Sequence, residues 1–573
     1  MAPAEDAPTA DAPAPRRRVV FPWAWIGLAA GGYLAIQQTD QTVDIKNLAS
    51  TAVLLLLLLG LTGWYAVRGK GPLGLRIGLF AAPFLAVYLI GTFYEFRFNG
   101  AGQIIGLHRR GASKSDEMLS RVPDNQSAES GIYDWGPGEY DYPRFLGEGP
   151  WAEAVGPALA RDWQANPPVE LWRREIGAGW SSFAVLGYYG VTQEQRGEEE
   201  LVVCYDLRTG EPVWSHSDPV RFDPEDFKGQ MGYQGPRATP TIANDRVYTQ
   251  GGKGLVNCLD ARTGERLWSV DTAEQYGVDV IVWGKSGSPL FAPIENEGEA
   301  DLVVINVGAP AGATEGSHDA SVVAFNAETG EEVWKSGWRQ TSYASPQLAT
   351  LHGERLVLQT CDDHLVARNA SDGTIVFEHP WFGQSANMPI CSQVITLPEN
   401  QLLLTKGYGQ GASRIQVSKE GDDWSTEPLW SPPIKPVLQT KFSNVVVRDG
   451  HAFGLRGELL QCANLETGES VWRKRRRPSF GFGQVLLAGD LLLVSCEESG
   501  ELVLIEATPD EYNERGVLQA LKKDDLCWNN PVIVGDLLVI RSATEAAAYR
   551  LPLAGTTEEP SAVDEATAET ASL

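Results

Sequence analysis

One phrase recurs along this chain with variations, and it restricts the fold more than any other feature. It reads VVCYDLRTGEPVW up to Trp214, LVNCLDARTGERLW up to Trp268 and VVAFNAETGEEVW up to Trp334. It returns as LVARNASDGTIVF up to Phe377 and LLQCANLETGESVW up to Trp472. Each copy is an alternating apolar run, a turn on Thr-Gly or Asp-Gly, and a second short strand ending in an aromatic. Alternation with period two marks a strand with one buried face. Such hairpins recurring along a chain mark a β-propeller, whose blades are four-stranded sheets around a central channel.

The turn chemistry agrees. Gly210, Gly264, Gly330, Gly373 and Gly468 stand where a tight hairpin needs a positive φ, which glycine adopts without a Cβ clash. The preceding Thr209, Thr263, Thr329, Asp372 and Thr467 can bond the turn backbone. The closing aromatic lies four residues past each glycine, on the outer strand, placed to pack against a neighbouring blade. That gives many of the 18 Trp a core role.

Closing positions run Trp172, Trp214, Trp268, Trp334, Phe377, Trp430 and Trp472, with a degenerate one near Leu518. Inner strands start near Ser182, Thr239, Ser288, Ser345, Pro389, Ser443, Gln484 and Pro531. Eight starts predict an all-β, eight-bladed β-propeller over residues 169–553, with seven blades the alternative. The last unit has three strands and no outer one. The segment VELWRREI around Trp172 supplies the fourth, closing the ring from the N-terminal side and removing its sheet edges.

Three apolar runs precede the repeats, at 19–38, 49–67 and 77–94, within a membrane domain spanning 19–95. Each is about long enough to cross a hydrocarbon core. Arg16–Arg18 precede the first, and Arg68, Lys70 and Arg76 separate the second from the third. The positive-inside rule then puts the N-terminus and that loop in the cytoplasm. The expectation is a multi-pass anchor in the inner membrane, with the propeller in the periplasm. Residues 1–18 read as a disordered cytoplasmic tail, 96–168 as an extracytoplasmic linker, and 554–573 as a disordered acidic tail. A formal charge of −27 argues against nucleic-acid partners.

Seven cysteines include Cys204, Cys258 and Cys462, each ten residues before a closing Trp and readable as small core residues. Cys361, Cys391, Cys496 and Cys527 leave room for one disulfide. No CxxC, CxxCH, P-loop or GxSxG occurs, and the seven His show no metal-ligand spacing.

The pattern D/N-x-x-T-G-x-x-x-W resembles the repeats of pyrroloquinoline quinone (PQQ) dehydrogenases and their cofactor-free, BamB-like relatives, beside longer phrases such as GPRATPTI, WGKSGSPL, YASPQL and WNNPVIVGDLLVIR. The longer phrases are similar to membrane-anchored PQQ-like propellers of planctomycetes. The resemblance implies a propeller that binds either PQQ with Ca²⁺ or no cofactor. The vicinal Cys-Cys pair of the methanol-oxidising members is missing, and their Glu, Asn and Asp metal set has no assignable counterpart here.

A propeller funnel is lined by the starts of its inner strands, and here those positions are polar. The cofactor-binding candidates are Arg237, Lys285, Tyr343, Lys441, Asn444, Trp528, Asn529 and, from a neighbouring strand, Arg541. Cations, amides and aromatics converging on one funnel would suit an anionic planar molecule or a peptide carboxylate. A wet channel with cations paired to Glu194, Glu498 or Asp536 accounts for the same residues. The sequence thus favours a non-catalytic binding or scaffold module for an envelope protein or peptide. The alternatives are a PQQ-dependent alcohol or sugar dehydrogenase and, lacking any cytoplasmic signalling domain, a sensor.

Overall fold

A computed structural model describes residues 21–39, 43–110, 115–119, 135–224, 234–295, 299–385, 387–430, 436–523 and 525–555. The expected tail at 1–18, and all but the first two residues of that at 554–573, lie outside this set. The chain divides into two units: residues 1–96 with 108–110, and residues 97–107 with 111–573.

The first unit holds three helices, α1 (Trp23–Gln38), α2 (Val43–Arg68) and α3 (Leu73–Phe93). Among the described residues, two helical segments are long and apolar enough to cross a membrane, Lys46–Arg68 and Leu73–Phe93. The third expected span falls short: α1 has 16 residues. At about 1.5 Å per residue it rises roughly 24 Å, below the ~30 Å of a hydrocarbon core.

The second unit is the propeller, and it has eight blades. Seven run outward as antiparallel meanders: Ala184–Asp218, Thr241–Asp271, Leu290–Ser336, Gln347–Pro380, Ile395–Trp430, Val446–Arg475 and Val485–Gln519. The eighth takes three strands from Val532–Arg550 and its outer strand from Val169–Glu175, with Ala548 opposite Trp172. The ring therefore closes as the sequence indicated.

The repeated phrase works between blades. Trp214 Nε1 donates to the Ala261 carbonyl (3.0 Å) in the next blade, and Trp268, Trp334, Trp430 and Trp472 make the same reach to Ala327, Ala370, Leu465 and Thr508. Trp172 carries the pattern across the closure to Leu207 (2.7 Å). The indole faces of Trp172, Trp214, Trp268, Trp334 and Trp430 lie under the glycine of the next blade's turn. A Cβ on Gly264 would sit 2.5 Å from Trp214 Cε3, and Gly264 has φ 72°. The glycine thus answers two demands, backbone handedness and ring stacking. Gly264→Ala should cost about 2–3 kcal/mol, the sum of left-handed strain and displaced packing. Urea unfolding at neutral pH checks this. Phe377 has no donor and instead stacks on Trp424, centroids 5.9 Å apart.

The described residues of the expected 96–168 linker, apart from 96 and 108–110, are built into the propeller unit. Trp135 stacks on Tyr189 (5.7 Å), Tyr142 bridges Val185, Glu153–Ala154 adds a parallel strand to the seventh blade, and Leu159 bridges Leu553. Glycine and proline give this stretch a linker's composition, but Trp135, Tyr142, Leu146 and Trp163 are almost fully buried. Such large apolar side chains must be covered, and the ring covers them. All seven cysteines are free thiols, so the expected room for a disulfide is unused.

Candidate functional site

The first residues of the inner strands form a hydrogen-bonded belt around the channel. Ser182 N–H donates to Thr239 Oγ1 (3.1 Å), Thr239 N–H to Ser288 Oγ (2.9 Å) and Ser288 N–H to Ser345 Oγ (2.9 Å). Further round, Gln393 N–H donates to Asn444 Oδ1 (2.7 Å), and Ser182 Oγ–H closes on the Asn530 carbonyl. Backbone amides at a strand's start lack ladder partners, and burial leaves them no water. A short polar side chain from the next blade supplies the acceptor. The polarity of these positions is therefore largely the polarity of blade-to-blade closure.

Above the belt lies a cavity of about 150 Å³, and every blade contributes to its wall. Its aromatic lining is Phe145, Trp180, Trp283, Tyr343, Phe442 and Trp528. Arg237 is its one charged lining residue, among serines, glutamines and Cys391. Trp180 and Trp528 stack with centroids 4.6 Å apart, and Phe442 tilts against Trp528 at 5.0 Å.

Of the eight sequence candidates, Arg237, Tyr343 and Trp528 line this cavity. The Arg237 guanidinium lies 4.9 Å over the Phe222 ring and donates to the Gly235 carbonyl (2.7 Å). Burial lowers its pKa to about 10, so it remains a cation at neutral pH. The Tyr343 hydroxyl donates to the Ser385 carbonyl (3.1 Å), and Trp528 Nε1 donates to Glu497 Oε1 (2.9 Å).

The other five are committed to the protein itself. Lys285 Nζ donates to the carbonyls of Val307 (2.6 Å) and Asp279 (2.9 Å). Asn444 belongs to the belt, and Asn529 Nδ2 donates to the Ser181 carbonyl (3.0 Å). Arg541 is fully buried between the eighth and first blades, bonded to Thr192 and to backbone carbonyls. Lys441 Nζ donates to the Gly100 carbonyl (2.7 Å), packed among the rings of Phe442, Phe482 and Tyr408. Backbone carbonyls meet each of these buried cations, and the sequence does not reveal which ones.

Trp180, Trp283, Phe442 and Phe145 are the lining residues that sequence reasoning missed. The first three leave a trace: each stands one to five residues before a serine at an inner-strand start, at Ser182, Ser288 and Ser443. Phe145 leaves none, since it arrives from the segment read as linker.

Among the described residues, no group of three His, Cys, Asp or Glu side chains is arranged to hold a metal ion. Ca²⁺ takes six to eight oxygen ligands, usually with carboxylates, and no carboxylate lines this cavity. PQQ would bring three carboxylates to a single guanidinium, in a volume below the roughly 300–1,000 Å³ of ordinary ligand pockets. The residues of this cavity do not fit that cofactor.

The family model of the outer membrane protein assembly factor BamB matches residues 166–307 and 318–458. BamB of Burkholderia pseudomallei (strain K96243) is 24% identical over 269 residues, covering 44% of this chain and 60% of that protein. Quinohemoprotein alcohol dehydrogenase ADH-IIG of Pseudomonas putida is 28% identical over 142 residues, covering 24% and 17%. The chain thus spans less than two thirds of either relative's length. The solved ADHIIG structure from Pseudomonas putida HK5 superposes with a TM-score of 0.51 at 13% identity, covering 78% of this chain and 85% of that one. Matched repeats, eight blades and the shared ring architecture identify this chain as a PQQ-like β-propeller.

Proposed function

We propose that this protein is a non-catalytic binding module of the cell envelope, whose funnel holds a protein or peptide segment. The observation that carries this reading is the cavity lining: six aromatics, one cation and no carboxylate. Aromatic walls desolvate and stack on an apolar or planar group, and Arg237 fixes one acceptor on it. No side chain in the lining is an acid or base placed to move a substrate proton near neutral pH. The match to BamB, named as an outer membrane protein assembly factor, supports an envelope partner.

In this reading the two apolar helices anchor the chain in the inner membrane, with α1 as a partial span. The propeller then stands in the periplasm, as the basic loops direct. The match to a quinohemoprotein dehydrogenase favours a second reading, quinone-dependent oxidation in the same funnel.

Titration of PQQ into the purified full chain, with and without Ca²⁺, separates the two. The expected result is no heat at high micromolar PQQ; tight, Ca²⁺-dependent binding would establish the dehydrogenase reading instead. In envelopes, a photo-crosslinker at Trp283 should capture a partner whose yield falls at least about tenfold with Arg237→Ala, the loss of one buried charged hydrogen bond. Unchanged yield sinks the funnel as the binding surface.

A further inference from the structure

Beside the aromatic cavity, the rim formed by the sixth, seventh and eighth blades is occupied by a piece of the chain itself. The hairpin made by Tyr94–Phe98 and Ile104–Arg109 turns at Asn99–Gln103. Asn99 and Ala101 are almost fully buried there. The turn is internally set: Asn99 Oδ1 accepts from Ala101 N–H (3.0 Å) and Gln103 N–H (2.8 Å).

The rim receives this turn through both polar groups of one peptide unit's residue. Gly100 N–H donates to Glu497 Oε1 (2.6 Å), and the Gly100 carbonyl accepts from Lys441 Nζ (2.7 Å). Asn99 Nδ2 donates to Glu498. A Cβ at Gly100 would lie 2.7 Å from the Glu497 carboxylate, so only glycine lets the backbone approach this far. Ile105 then covers the Trp180–Trp528 platform with Leu526 and Ala543.

Two buried side chains, Lys441 and Glu497, and the half-buried Glu498 thus read backbone and amide groups, while aromatics cover an aliphatic residue six positions on. Glu497 is fully buried and its charge answers three donors: Gly100 N–H, Phe482 N–H and Trp528 Nε1. Lys441 has three rings around its ammonium. A surface merely wetted by solvent needs no such arrangement. These are the parts of a recognition site for a tight peptide turn carrying Asn-Gly and a following aliphatic residue.

We infer that the rim formed by Lys441, Glu497 and Glu498 is a receptor for an Asn-Gly peptide turn, filled in cis by residues 99–102 and available to a partner's turn by exchange. The inference deepens the binding reading above and rests on it. It names the chemistry of the bound segment: backbone in a glycine turn, an asparagine amide, and an aliphatic side chain placed over the Trp180–Trp528 pair. Release of the cis turn would also open the aromatic cavity at its Trp528 side, joining two surfaces into one larger site.

The test uses the full chain and a fluorescent, end-cyclised peptide of residues 97–107 (RFNGAGQIIGL). The wild-type chain should exclude the peptide, because its rim is occupied. Gly100→Val should expose the cis turn, seen as faster hydrogen exchange over 97–107, and the same chain should then bind the peptide. Adding Lys441→Ala should weaken that binding at least about tenfold, the loss of one charge-assisted hydrogen bond. An exposed turn without peptide binding, or binding indifferent to Lys441→Ala, overturns the receptor. So does protection over 97–107 that survives both Gly100→Val and a second variant, Asn99→Ala with Ile105→Asp. If partner capture from the funnel persists with its Arg237 dependence, only this receptor has failed; loss of both removes the binding reading as well.

Discussion

Arg541→Ala is expected to destabilise the propeller by about 4 kcal/mol or more, the largest effect of any single substitution considered. The side chain is fully buried. Its Nη1 donates to Thr192 Oγ1 (2.8 Å) and the Gln193 carbonyl (3.2 Å), and its Nη2 to the carbonyls of Gly177 (3.2 Å) and Gly179 (3.3 Å). Residues 177–179 directly follow the closing strand, and 192–193 belong to the first blade, so one guanidinium joins both sides of the ring closure. Alanine would leave these acceptors buried and unpaired, at about 1–3 kcal/mol each before relaxation, and would add a cavity. Lysine should recover only part of the loss, because a point charge cannot replace a planar fork. The check is the urea midpoint of the full chain. A shift equivalent to less than about 1 kcal/mol would show that the closure does not depend on this residue.

A second large effect concerns pH. Glu200 is buried, and burial lifts its carboxyl pKa to about 7, with the Asp218 charge adding to the rise. The Gly252 N–H at 3.0 Å and the cations Lys253 and Arg237 oppose this without cancelling it. The folded pKa thus lies above the unfolded value, and the folded state holds its proton across a window where the unfolded chain releases it. Stability from this group is full below pH about 4.5 and is lost as pH rises through about 7. At about 1.4 kcal/mol per pKa unit, the loss amounts to roughly 3 kcal/mol. Glu200→Gln keeps an acceptor for Gly252 and removes the titration. The variant should therefore be more stable than the wild type at pH 8 by about 2–3 kcal/mol and nearly equal to it at pH 5. The difference between the two proteins isolates Glu200 from other titrating groups such as Asp362, whose pKa burial raises to about 6. Parallel urea curves with a constant offset at both pH values would refute the assignment.

The blades were legible because their signals are local. A glycine at φ 72–76° sits four residues before its aromatic in five separate copies, and each copy specifies its own hairpin. The closing strand was legible for the same reason, since Trp172 carries the mark of an outer strand without an inner one beside it. The funnel was half legible. Polar residues stand at the strand starts around the channel, but their polarity serves two ends. Asn444 and Ser288 supply acceptors for neighbouring backbone amides, while Arg237 lines the cavity. Sequence gives the residue type and not the partner. The partners that decided the matter are remote: Lys441 and Gly100 lie 341 positions apart, and Arg541 and Thr192 lie 349 apart. The stretch 96–168 has a linker's composition because its three buried aromatics, Trp135, Tyr142 and Trp163, are outnumbered by glycine and proline.

The closing strand also sets an order of events during synthesis. Arg173 and Tyr549, bonded across the last blade, are 376 positions apart, and the earlier of them is made before any blade exists. The strand Val169–Glu175 must therefore wait, unpaired, while the whole ring is translated. Contacts of such sequence separation are slow to form, and an unpaired strand invites pairing with other chains meanwhile. Its composition suits that delay: Glu170, Arg173, Arg174 and Glu175 make four of its seven residues charged, which discourages intermolecular strand pairing until its own partner emerges.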